Sequence, residues 1–168
     1  TAVSAADLIT LETRGVHVRY LGPRIGHTGQ YITHRATSTL PQSTTLNLFT
    51  VTGRVKLIAV QGTVTTVIQT QANDTKLSLN PDATGLATVD ICAVLDITGD
   101  AVGTVYNITG TFATALVGAS NGAAVFQAAP TTLEAGVILL DCAASNTGSV
   151  KWLCIWEPID PGARVVAA

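Results

Sequence analysis

From Val150 to Glu157 the chain reads Val-Lys-Trp-Leu-Cys-Ile-Trp-Glu, and this octapeptide constrains the fold more than any other segment. Side chains alternate across a strand, so Val150, Trp152, Cys154 and Trp156 share one face and Lys151, Leu153, Ile155 and Glu157 the other. Two aromatics on one face anchor a core; a carbohydrate-stacking platform is the alternative use of the same pair. The opposite face is also apolar at its centre, and a strand apolar on both faces is covered on both. The segment therefore asks for a two-layer fold or a subunit interface.

The rest of the chain from Leu40 onward has the same texture. Leu46–Thr52, Arg54–Gln61, Thr63–Ala72, Thr75–Leu79, Ala87–Ile97, Thr104–Thr109 and Thr111–Leu116 are rich in Val, Ile and Thr, which suit a pleated surface. Ala123–Ala128, Thr132–Glu134, Val137–Cys142, Ser149–Glu157 and Ala163–Ala167 complete the expected strands. Gly62 reads as a bulge or bend between two runs, and Asn121-Gly122 as a two-residue hairpin turn. Ala113–Ala119 is the one stretch that could form a short helix, and breakers bound it closely. The pattern predicts an all-β chain, an antiparallel β-sandwich or barrel with the jelly roll among the options. Residues 36–168 form that domain. Residues 1–35 are expected to be an irregular N-terminal arm or leading strand, with strand-like pieces at Val16–Leu21 and Gln30–Thr33 around a Gly-rich loop.

Charge narrows the function classes. Charged residues are 12% of the 168, about half the ~25% usual for a soluble domain, so the exterior is covered by uncharged polar groups or by partners. The net charge of −2 argues against nucleic acid as the main partner, since phosphate contacts need clustered Lys and Arg. The distribution is uneven. Residues 1–40 hold four arginines against Asp7 and Glu12, a net of +2, while the remainder holds five basic and nine acidic residues, a net of −4. The three cysteines, Cys92, Cys142 and Cys154, lie in apolar runs without a CxxC spacing and read as buried thiols; a Cys142–Cys154 bridge is the alternative. The opening Thr1–Asp7 lacks the basic flank and apolar core of a signal peptide, and no run approaches the ~20 apolar residues of a membrane helix. Synthesis in the cytoplasm, with no membrane partner, is the expectation.

Catalytic signatures are thin. His17, His27 and His34 match no zinc spacing, no Gly-x-Ser-x-Gly elbow is present, and the acidic residues stand singly, several beside turns where Asp shapes the backbone. Asn73-Asp74-Thr75 and Asn107-Ile108-Thr109 match the glycosylation pattern, read here as chance. Neither an enzyme, a cofactor nor a metal is expected; a hydrolase assembled from distant residues ranks last.

Two passages carry a resemblance. Gly148-Ser149-Val150-Lys151-Trp152, then Trp156-Glu157-Pro158 and Pro161-Gly162-Ala163-Arg164-Val165-Val166-Ala167-Ala168, resemble small virion proteins of tailed double-stranded DNA phages. So does Leu40-Pro41-Gln42-Ser43-Thr44-Thr45-Leu46-Asn47-Leu48-Phe49 leading into Gly53-Arg54-Val55. The likeness covers roughly residues 36–168 and is one of pattern, not of a catalytic motif. It implies a capsid decoration (cement) or head-fibre protein, β-rich, homotrimeric, bound to the major capsid protein on the capsid exterior. A tail, connector or fibre component is the near alternative, and a carbohydrate-binding sandwich using Trp152 and Trp156 the alternative from another class. Under this reading the basic arm supplies the candidate partner contacts: Arg14, His17, Arg19, Arg24, His27, His34 and Arg35.

Overall fold

The computed structural model describes residues 29–168; Arg14, His17, Arg19, Arg24 and His27 lie outside them. Twelve strands follow one another: β1 Tyr31–Thr39, β2 Thr45–Thr52, β3 Val55–Thr66, β4 Asp74–Pro81, β5 Val89–Asp90, β6 Leu95–Asp96, β7 Val105–Asn107, β8 Val117–Ala119, β9 Thr131–Leu133, β10 Gly136–Cys142, β11 Ser149–Pro158 and β12 Arg164–Ala167. Among the described residues there is no helix, so Ala113–Ala119 contributes only the short β8.

The strands form two sheets. One runs β1-β11-β3-β7-β8 with β9 also on β3, the other β12-β2-β10-β4-β5 with β6 also on β4, and every strand pairing is antiparallel. The pairings nest: β1 with β11, β2 with β10, β3 with β7, β4 with β5. This is one long hairpin folded over on itself, the winding of a jelly roll. Both sheets keep open edges, so the sandwich is right and the barrel alternative is not. The core lies between the sheets, where Phe49, Leu57, Leu77, Ile138, Cys154 and both tryptophans are buried.

Several expected boundaries shift. The division at residue 35 falls inside β1, whose Tyr31–Arg35 pair with Trp156–Trp152 of β11, so residues 31–35 belong to the sheet. The two runs split at Gly62 are one strand, β3, with Gly62 in regular register opposite Trp152. A Cβ at Gly62 would stand 2.8 Å from the Trp152 indole, so the glycine leaves room for that ring and makes no bend there. The register slips fall elsewhere, between Ser149 and Val150 and between Ile155 and Trp156.

Ala87–Ile97 is not one continuous strand: only Val89–Asp90 and Leu95–Asp96 pair with β4, and Ile91 and Cys92 between them are fully buried. The Leu77 amide bonds to the Cys92 sulfur at 3.2 Å, and β5 and β6 pair β4 on either side of the interruption. Thr111–Leu116 and Ala123–Ala128 are not strands. Of Asn121 and Gly122 only Gly122 has positive φ, so the turn is not the hairpin type that needs both.

Candidate functional site

The strand pairing brings together residues that are far apart in sequence. Between Arg35 and Ser38 the β1–β11 register slips, and Ala36 and Thr37 form a bulge beside Lys151. At the bulge lies a groove of about 600 Å³ whose lining includes His34, Arg35, Thr37, Gln61, Thr63 and Lys151. His34 and Lys151 are exposed, and Arg35 is half-buried with its guanidinium donating to Ser38 Oγ at 2.6 Å. Partial burial lowers the Arg35 pKa, because the charged form loses hydration. Among the described residues no carboxylate lines this groove. His34 and Arg35, two of the residues expected to contact a partner, therefore share one cationic groove with Lys151. Lys151 was legible only as the polar side of its strand; its place beside His34 depends on the register of β1 against β11.

A second groove, about 570 Å³, lies between β7, β8 and residues 120–128. Its rim is apolar, with Val117, Val125 and Phe126 exposed. Asn107 anchors it, donating to the Val125 carbonyl at 2.9 Å and accepting from Gln61 Nε2 at 3.2 Å.

The tryptophans are not at the surface. Trp152 is 3% and Trp156 6% exposed, which removes them as a sugar-stacking platform. Trp152 packs on Gly62 and stacks on Tyr106 with ring centroids 6.4 Å apart. Trp156 stacks on Tyr31 at 4.9 Å, and its Nε1 donates to Thr33 Oγ1 at 3.0 Å, while that hydroxyl donates to the Val165 carbonyl at 2.8 Å. This short relay ties the edge of one sheet to the edge of the other.

All three cysteines are buried free thiols, and Cys142 and Cys154 belong to different sheets. Burial pushes the Cys154 thiol up to about 12 and raises Cys92 and Cys142, the opposite of what a nucleophile needs. Both glycosylation-like asparagines are in the interior: Asn73 accepts from the Ala144 amide, and Asn107 holds the second groove. Among the described residues no three His, Cys, Asp or Glu side chains gather as a metal site, and no helix is long and apolar enough to cross a membrane.

Comparison of the chain with protein-family models, with curated proteins and with solved structures finds no match in any of the three.

Proposed function

We propose that this chain is a structural virion protein, a capsid decoration protein that stabilises the head by bridging capsid subunits. The observation that carries the reading is the nested jelly-roll winding, an architecture used by viral capsid domains. The warrant is an analogy of architecture, since a fold by itself does not set function. Lectins share that architecture, but here the two tryptophans that would stack on sugars lie in the core. The low charge of the chain and the residue patterns at its C-terminal end support the same reading.

The mechanism is passive. A protein seated where shell subunits meet adds buried area across their seams, at about 25 cal/mol per Å² of apolar surface before the ordering cost is deducted. Many identical contacts on a symmetric shell multiply the effect of each.

Electron microscopy of particles that contain the chain tests this directly. Density on the capsid exterior in hundreds of copies is the expected result. A few to tens of copies would mean a tail, connector or fibre component instead. Residues 1–28 can be removed to test their part in attachment without cutting into β1, whereas a deletion to residue 35 would strip half of that strand.

A further inference from the structure

The two lateral edges of the sandwich carry opposite charge. On one side β1 and β12 are the outermost strands, joined by the bond from Thr33 to Val165. This edge holds Arg35 and Arg164, and the neighbouring strand β11 adds Lys151 beside His34. Among the described residues Arg35, Lys151 and Arg164 make no ion pair, and the nearby acids Glu157 and Asp160 are held by Lys56 and Arg54. On the opposite side β5 and β6 flank β4, and Asp74, Asp82, Asp90 and Asp96 are all exposed there. Lys76 is the one cation of these three strands, and it is bonded to Asp90 at 2.8 Å.

Each edge also exposes apolar side chains next to its charges. Tyr31 and Ile32 are 51% and 57% exposed beside the basic groove. Leu86, Val89 and Val94 are exposed on the acidic side. Among the described residues no strand pairs with the outer edge of β1, and its bulge lies at the Arg35–Ser38 half, so the Tyr31–Arg35 half presents a row of main-chain donors and acceptors.

We infer that the chain binds a second copy of itself head to tail, the β1/β12 edge of one copy against the β5/β6 edge of the next. Charge decides against the other ways to cover these edges. Two β1 edges facing each other would set Arg35 and Lys151 against their own copies, and like charges directly opposed are destabilising. Residues 1–28 carry Arg14, Arg19 and Arg24 against Asp7 and Glu12, a net of +1, so their charge does not complement the basic edge. A head-to-tail contact uses two different patches and generates a ring where the rotation closes. The contact would gather copies of a decoration protein on the shell, and in that role it rests on the proposed function. It is tested without any particle: attachment to a capsid can fail while this contact holds, and the reverse.

Sedimentation velocity of the full chain tests it, with two double variants. Lys151→Glu/Arg164→Glu leaves Arg35 as the only cation of that edge and makes both edges acidic, and Asp82→Lys/Asp90→Lys reverses the other edge. The unaltered chain is expected to associate as its concentration rises, less so as salt is added. Each variant alone should lose association by about tenfold or more in Kd, and an equimolar mixture should regain it because each reversed edge meets a complementary one. A chain that remains monomeric at millimolar concentration overturns the inference. So does a variant that associates like the unaltered chain, or a mixture that fails to recover. If either double variant loses native tryptophan emission, Lys151→Gln and Asp82→Asn replace them, and an unchanged salt dependence of association is then the overturning result.

Discussion

The indole of Trp152 lies where a side chain at Gly62 would have to be, across the β3–β11 ladder. A glycine in mid-strand weakens the strand, because it lacks a side chain to pack and loses more backbone freedom on folding. Here the empty position is filled by an aromatic ring that also stacks on Tyr106. Gly62→Ala should therefore destabilise the fold by about 1–3 kcal/mol through overpacking, despite the better strand propensity of alanine. Urea unfolding measures it. A neutral or stabilising result would mean the ring can move aside.

Tyr31 covers Trp156 at the sheet edge, and the stack is partly open to solvent. Tyr31→Ala should shift tryptophan emission to longer wavelength and cost about 0.5–1.5 kcal/mol beyond the lost area. Glycans added to the unaltered chain should leave the emission where it is, since neither indole is accessible.

Thiol chemistry should be silent in the native state. Cys154 has a pKa pushed up to about 12 by burial, and Cys92 and Cys142 are raised for the same reason. At mildly alkaline pH a thiol reagent should modify none of the three until the chain unfolds, then all of them. Rapid labelling of one cysteine in the native protein would contradict the burial described above.

Acid should weaken the fold through identifiable carboxylates. Arg54 bonds Asp160 through its guanidinium and its amide, which holds the Asp160 carboxyl below the usual range. The Asn73 amide and the Thr98 hydroxyl do the same for Asp96. A depressed folded pKa means the stabilisation is fully present above the unfolded value, near 3.8, and is lost as pH falls through the folded values. Thermal melts should be flat above about pH 5 and fall below about pH 4, and Asp160→Asn should reduce that slope. Because both groups are exposed, added salt should shrink the effect.

The limits of the linear text show in particular residues. Val137–Cys142 and Ser149–Glu157 were legible to within a residue: the second keeps a clean period of two, and the first is a short apolar run buried at Ile138, Leu139 and Leu140. Ala87–Ile97 failed between Asp90 and Leu95, where strand pairing with β4 lapses, since strand-forming composition is the same on either side of such a break. Thr111–Leu116 failed for a related reason: strand-forming residues need a sustained ladder, and among the described residues this segment has only the isolated parallel bridge of Ala115 with Ala93.

Alternation, turn residues and the thin charge of this chain determined by themselves that it is all-β and that both tryptophans point the same way. Those properties are local, set by side-chain sterics and by the two-residue repeat of an extended backbone. Only the tertiary structure decided which strands are neighbours, because pairing β1 with β11 joins segments more than a hundred residues apart. That pairing puts Lys151 beside His34, while the β3–β11 pairing makes Gly62 the seat of Trp152 and the strand order of the two sheets sorts the charges onto opposite edges. Register and edge position arise from the packing of two sheets as a whole, and no short stretch of sequence carries them.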